Sequence, residues 1–380
     1  MNTQPGGSLR AHFATLPDPR VERTKRHGLL DLVTIAVCAV VCGADSWVAV
    51  EQFGQRKEAF LRRFLALPHG IPSHDTFGRV FAVLDPARFE ACFLAWIQDT
   101  VRLTGGQVVA IDGKTARRSH DRGGGKAALH LVSAWATANR VVLGQVAVDA
   151  KSNEITAIPA LFEVLAISGC IVTIDALGCQ TANARTIRAR EADYVLALKP
   201  NHPRLHADVA GVFADALGAN LGGYAVGRAR TVEKDHGRLE VRRCAVLRDP
   251  AVIAWLDPTG DWTNLRAIAL VESERRIGDT TTVDRRYYLT SLDADADAAR
   301  LLAAVRGHWG IENELHWVLD VAFREDECRV RQGHAAENLA VVRHIALNLL
   351  RRETTAKVGV PTKRLMAGWD ETYLLKILAS

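Results

Sequence analysis

Two short apolar runs, each ending on an aspartate, constrain this chain more than anything else in it. Gln107 to Asp112 reads QVVAID, and Cys170 to Asp175 reads CIVTID. Short runs rich in β-branched residues, with no polar alternation, predict strands buried on both faces, as in a sheet covered by helices. Each aspartate is followed by a small residue, Gly113 or Ala176. In an open α/β sheet, sites form beyond the carboxyl ends of the strands, so two strand-end acids are candidates for one site. An aspartate there can equally cap the turn that follows, and the residues alone leave both roles open.

The surrounding pattern extends the sheet. Leu129 to Thr137 and Arg140 to Val148 flank Ala138-Asn139 as a hairpin would. Glu154 to Ile167 and Gln180 to Glu191 have helical spacing, and Tyr194 to Leu198 is a further strand closed by Lys199-Pro200-Asn201. A meander followed by crossover units predicts a mixed sheet flanked by helices. Residues 202–285 interrupt this order with pieces such as Glu240 to Leu247 and Arg266 to Glu274, and read as a β-rich insertion. Tyr287 to Leu289 resumes a strand, and Ala298 to Val321 is a long helix. Before the break at Thr104-Gly105-Gly106 the chain reads as all helix: Leu29 to Cys42 is apolar, Ser73 caps a second helix, and Pro86 opens a third. The expected division is a helical N-terminal domain (1–104), an α/β core (105–330), and a C-terminal segment (331–380) with one helix, Ala335 to Arg352, and a basic tail. Deleting residues 1–103 is expected to leave a folded core.

The long helix offers a third acid. Ile311, Leu315, Val318, Leu319 and Ala322 form its buried stripe; Glu312 lies beside that stripe and Glu314 on the solvent side. Asp112, Asp175 and Glu312 are therefore the candidate metal-binding and catalytic carboxylates, expected to converge. Hard oxygen ligands match Mg²⁺ or Mn²⁺ rather than zinc, and two such ions suit in-line displacement at phosphorus. No Walker A loop, GxSxG elbow or GxGxxG follows a strand, and His202 and His206, split by Pro203, lack a third metal ligand. The formal charge of +5 is modest, but bases cluster: Arg20 to Arg26 near the start, and Lys114, Arg117 and Arg118 after Asp112. Further on come the Arg122 to Lys126 loop, Lys199 and Asn201, and Arg351, Arg352, Lys363 and Arg364 near the end. Lys114, Arg117, Arg118, Lys126, Lys199 and Asn201 are expected to contact a polyanion. Trp309 and Trp317 read as core anchors rather than base-stacking platforms. Seven cysteines without a CxxC pair suit a reducing cytoplasm, and the longest apolar stretch, Leu32 to Ala44, is too short to cross a bilayer.

The segments AIDGKTARRS, TIDALGCQTA, ALKPNH, YYLTSL and HWGIENELHWVLDVAFREDECRVR resemble the DDE transposases of insertion sequences, and more narrowly their H-repeat-associated group. DPR at Asp18 to Arg20 and IPSHDTFGRVF at Ile71 to Phe81 resemble the helical domain that precedes the catalytic core in that group. The likeness runs in order over nearly the whole chain. It implies an RNase H-like core with a β-strand insertion before the glutamate-bearing helix, and Asp112, Asp175 and Glu312 as the three acids. It also implies Mg²⁺-dependent cleavage at element ends and strand transfer into target DNA. The implied partners are double-stranded DNA and a second copy of the chain at the ends, in a bacterial cytoplasm beside the nucleoid. Many related transposases have Tyr and Arg seven and four residues before the glutamate and Lys seven after; here those places hold Val305, His308 and Leu319. Either Arg306 replaces the missing arginine or His308 meets phosphate itself. The alternative readings are an inactive relic that only binds DNA, and an RNase H-like nuclease without strand transfer.

Overall fold

The computed structural model describes residues 7–120, 125, 127–148, 154–218, 224–235, 237–293 and 298–380. The Arg122 to Lys126 loop, Lys126 included, therefore lies outside the described residues apart from Gly125.

The chain opens with helices only: α1 (Gly7–Phe13), α2 (Leu29–Val41), α3 (Trp47–Arg56), α4 (Glu58–Leu61), α5 (His74–Val83) and α6 (Pro86–Thr100). The starts are those the caps predict. Ser73 Oγ accepts from Thr76 N, and Asp85 accepts from Ala87 and Arg88 N ahead of Pro86. Helix α2 is buried on nearly all sides, as its apolar sequence requires.

Then follow β1 (Val108–Ala116), β2 (Leu129–Ala136), β3 (Val141–Ala147), α7 (Glu154–Val164), β4 (Ile171–Ile174), α8 (Thr181–Ala189) and β5 (Asp193–Leu198). Next come α9 (Pro203–Gly218), β6 (Val226–Asp235), β7 (Arg238–Leu247), α10 (Pro250–Leu256), β8 (Ala267–Ile277) and β9 (Thr280–Thr290). The nine strands form one mixed sheet in the order β3-β2-β1-β4-β5-β9-β8-β7-β6. Strands β1, β4 and β5 are parallel, and every other neighbouring pair is antiparallel. The β-rich insertion is thus a continuation of the central sheet, reached through β9, whose Thr290 and Leu289 pair with Val195 and Leu196 of β5. An apolar β5 left at the edge would be an open template for aggregation, and β9 closes it.

Helix α11 (Ala298–Gly310) runs into a π-helical turn (Ile311–His316) and α12 (Trp317–Phe323). Leu301, Leu302 and Val305 of α11 share one apolar cluster with Ile171 of β4 and Val195 of β5. Val172 and Ile174 face the other way, into the larger core that includes Leu161 and Phe162 of α7. Helix α13 (Ala335–Arg352) is buried along most of its length. Its Asn348 receives the Val142 N–H and donates to the Val142 carbonyl, both at 2.8 Å, so it caps the open edge of β3. Glu90 accepts from Gln145 N at 3.1 Å on the same edge, and its burial there pushes its carboxyl up to about 8.

Two features depart from the expected division. Residues of α2, α5 and α6 belong to the same apolar core as α13 and β3, so the helical segment and the sheet share one interior. The C-terminal stretch is also folded, as α14 (Val360–Trp369) and α15 (Glu371–Leu378). Lys363 and Arg364, read as part of a basic tail, are buried: Lys363 Nζ donates to the Leu350 carbonyl (3.0 Å) and Arg364 Nε to that of Val40 (3.1 Å). They satisfy carbonyls left open where α13 and α2 end.

Candidate metal and nucleic-acid site

Strands β1 and β4 pair in register from Val108↔Ile171 to Ile111↔Ile174. One residue further, Asp112 and Asp175 stand side by side, and equal register in a parallel pair puts both on one face. Strand β4 ends there, whereas β1 continues to Ala116 along β2, so the sheet opens a notch beside Asp112.

Asp175 does act as a turn cap. Its Oδ1 accepts from Leu177 N at 3.1 Å and Gly178 N at 3.3 Å, and its Oδ2 has no hydrogen-bond partner among the described residues. The cap fixes the carboxylate and leaves one oxygen for a ligand. The loop after it is held from behind: Asn201 Nδ2 donates to the Ala176 carbonyl (2.7 Å) and His202 Nε2 to that of Cys179 (2.6 Å). Asn201, expected at DNA, is thus placed as a brace for the Asp175 loop. Gly178 is required, since a Cβ there would lie 2.2 Å from Ile174 Cγ2.

The Glu312 segment crosses this same face. His308 Nδ1 lies 3.1 Å from Thr173 Oγ1 on β4, and His316 Nδ1 lies 3.5 Å from Asp112 Oδ2. Glu312 falls between these histidines in sequence and is exposed, above buried Ile311 and Leu315. Burial, reinforced by the Lys114 cation, pushes His316 down to about 3, so it meets Asp112 as a neutral ring. Burial also lowers His308, against the pull of Asp175. Among the described residues no three His, Cys, Asp or Glu side chains form a group that could hold a metal ion. Asp112 and Asp175 make a pair of hard donors; Glu312, as placed, does not complete a three-donor set with them.

Lys114, two residues beyond Asp112, is taken up by carboxylates. Its Nζ lies 2.7 Å from both Asp320 Oδ1 and Glu325 Oε2. Burial opposes the ammonium charge, but Glu325 and Asp320 outweigh it and raise its pKa. Glu325 is buried, which opposes its charge too, yet Lys114 and Arg343 hold its carboxyl down at about 2. This network locks β1 to the end of α12, where DNA contact was expected of Lys114. Arg117 is exposed, with Nε 3.2 Å from Asp326 Oδ2. Arg118 is exposed as well, and its carbonyl accepts from Arg331 Nε at 2.8 Å.

A cleft of 280 Å³ opens beside Asp175, lined among others by Lys199, Arg286, His308 and Trp309. Lys199 is exposed at its rim. The Arg286 guanidinium sits 4.9 Å from the Trp309 ring centre, a cation–π contact. Arg306 is exposed, 3.6 Å from Glu233 on β6. Trp309 and Trp317, expected in the core, are 37% and 59% exposed, because both lie off the Ile311, Leu315 and Val318 stripe. Glu314 is not simply solvated: Arg140 Nε is 2.5 Å from its carboxylate and Arg351 Nη1 3.6 Å. The roles of Asp320, Glu325 and Arg286 were not seen in the sequence; the acidic Glu325-Asp326-Glu327 run after the helix was the available signal.

Residues 103–349 match the transposase DDE domain family, and residues 10–97 match the segment associated with it. The chain is 38% identical to "H repeat-associated putative transposase YhhI" of Escherichia coli K12, over 98% of this chain and 97% of that one. It belongs to the DDE transposase family. "Putative transposase YncI" of Escherichia coli O157:H7 is 39% identical over 98% of this chain and 95% of its own. The family also contains a short relative, "Inactive transposase YbfQ" of Escherichia coli K12, 38% identical over 72 residues, which are 19% of this chain and 86% of its own. A piggyBac transposase synaptic complex with hairpin DNA aligns with a TM-score of 0.41 at 10% identity, over 100% of this chain and 79% of that one, too remote to bear on the site. As a family member the chain is a transposase with a mixed α/β fold, and among its described residues no helix is long and apolar enough to cross a membrane.

Proposed function

We propose that the chain is an active DNA-cutting transposase, cleaving at element ends and joining the freed 3′-hydroxyl to target DNA. The observation that carries this is the β1/β4 register, which sets Asp112 beside Asp175 on the face crossed by the Glu312 segment. In this reading the strand order β3-β2-β1-β4-β5 is an RNase H-like core, and Asp112, Asp175 and Glu312 are its metal-binding acids. Divalent magnesium or manganese, two ions in the full site, would supply an activated oxygen nucleophile and neutralise charge at phosphorus.

The residues themselves do the positioning. Lys114, Asp320 and Glu325 tie β1 to α12, so Asp112 and the glutamate helix keep one spacing. Neutral His316 supports Asp112 without competing as a cation. Lys199, Arg117, Arg118, Lys126, Arg306 and His308 are assigned to the DNA backbone around the scissile phosphate, with Lys114 and Asn201 acting behind that surface. Two copies would synapse the two ends, in the cytoplasm where the nucleoid lies. The second reading, a DNA-binding relic, draws on the incomplete three-donor grouping and the family's inactive member. The deciding test is cleavage of duplex DNA carrying the inverted repeats beside the gene, with Mg²⁺. Cleavage followed by joining supports the proposal; cleavage without joining makes it a nuclease; binding without cleavage makes it a relic.

A further inference from the structure

The front of the molecule carries a cleft that the carboxylate site does not use. Its volume is 900 Å³, and its walls include Arg20, Arg23, Arg26 and His27 from the segment before α2, Arg79 from α5, and Gln332. Among the described residues, no acidic side chain lines it. Arg20 is committed: its Nε and Nη2 grip Asp18 at 2.9 and 2.7 Å, and Nη2 also donates to the His27 carbonyl at 2.7 Å. That fork holds the loop in shape. Arg23, Arg26 and Arg79 are exposed and have no ion-pair or hydrogen-bond partner among the described residues. With 48 basic and 43 acidic side chains in the chain, acids to pair with are not scarce. Three unpaired guanidinium groups around one concavity repel one another and concentrate a positive potential that draws in an anion.

The cleft is physically joined to the Asp112 strand. Glu325 grips Lys114 and Asp326 grips Arg117, both just past Asp112. Six residues after Glu325, Arg331 donates to the Arg118 carbonyl, Gln332 forms a wall of the cleft, and His334 N donates to the Ala82 carbonyl at the end of α5 at 2.9 Å. The seven steps along the chain from Glu325 to Gln332 reach at most ~25 Å when fully extended.

We propose that this arginine cleft grips the phosphate backbone of duplex DNA, on the flank of the same DNA whose scissile phosphate lies at Asp112. The proposal rests on the transposase reading and adds the surface that holds the flank. Guanidinium forks suit phosphate oxygens. The ~25 Å reach, extended by two residues of β1 and the Lys114–Glu325 ion pair, puts the gripped phosphates on the order of one turn of B-DNA, ~10 base pairs, from the cleavage point.

The test is fluorescence anisotropy of the full chain on a labelled duplex of the inverted repeat beside its gene, at several salt concentrations. The triple variant R23Q/R26Q/R79Q is expected to bind at least tenfold more weakly, with a salt slope shallower by about one unit for each phosphate no longer neutralised. R23K/R26K/R79K should recover most of the slope, and a circular-dichroism melt should show the triple variant folded. R190Q, at the opposite end of β5 from Lys199, should leave the slope unchanged. Shortening the duplex to fewer than ~10 base pairs on the flank should erase the difference between wild type and triple variant. If wild type binds and cleaves while the folded triple variant matches its affinity and slope, the cleft assignment falls and the transposase reading stands. If wild type binds no duplex DNA at any salt, both fall. Tighter arginine-dependent binding to a duplex RNA of the same sequence would overturn the DNA assignment alone.

Discussion

Glu325 illustrates how a single side chain holds the site. It is 3% exposed and faces Lys114 and Arg343; Lys114 also has Asp320, but removing the Glu325 charge leaves the buried Arg343 guanidinium without its carboxylate. Breaking a buried pair from one side typically costs ~3–5 kcal/mol. Glu325→Gln is accordingly expected to destabilise the fold by about 3 kcal/mol at neutral pH, read by urea unfolding. The pH dependence has a definite sign. The folded carboxyl is depressed to about 2 from an ordinary 4.5, so its contribution is fully present above about 4.5 and fades as pH falls towards 2. Wild type should therefore lose more stability than Glu325→Gln between pH 4.5 and 3; equal losses would mean the Lys114 network is not formed. The candidate acids should behave in the opposite way. Asp112→Asn, Asp175→Asn and Glu312→Gln remove charges that draw in a divalent cation. Each is expected to lower cleavage at least about a hundredfold, the scale of losing one electrostatic stabiliser. Glu312→Gln, on an exposed residue, should shift stability by no more than ~0.5 kcal/mol. A destabilised Asp112→Asn protein that still cuts DNA would make that acid structural.

Among the elements, β3 is the one whose survival depends on a distant helix. It is an edge strand, and Asn348 of α13 satisfies both backbone groups of Val142. Asn348→Leu would leave a buried N–H and C=O without partners, at ~1–3 kcal/mol for each. A thermal melt of that variant should show a marked loss, and an unchanged melting temperature would mean that β3 finds another cap. The loop after β4 is equally specific. Gly178→Ala would press a methyl into Ile174 and Ile158, at 2.2 and 2.8 Å. Because Asp175 Oδ1 is held by this loop's amides, the variant should lose cleavage more than DNA binding, measured side by side. Equal losses would point to general unfolding instead.

At the scale of the whole molecule, the helical front and the sheet share one core, with α13 packed among α2, α5, α6 and β3. A fragment beginning at residue 105 would expose the apolar faces that α2, α5 and α6 now cover. It is expected to be insoluble or molten, by near-ultraviolet circular dichroism, rather than a folded catalytic core. A cooperative melt of that fragment would restore the division into separable domains. Local and periodic features were legible in the sequence: the buried apolar runs leading into Asp112 and Asp175 (though β1 goes on to Ala116), the caps at Ser73 and Asp85, the hairpin at Ala138-Asn139 and the apolar stripe beside Glu312. Those features depend on neighbours within a few residues, so composition and spacing record them. The tertiary structure alone decided the partners of Lys114 206 and 211 residues away, the cap on Val142 206 residues away, and the burial of Lys363 and Arg364. It also decided that β9 lies beside β5, so that the β-rich insertion continues the central sheet. A lysine reads the same in sequence whether it will meet phosphate or a buried carboxylate, because its charge is local and its partner is chosen only when distant elements pack.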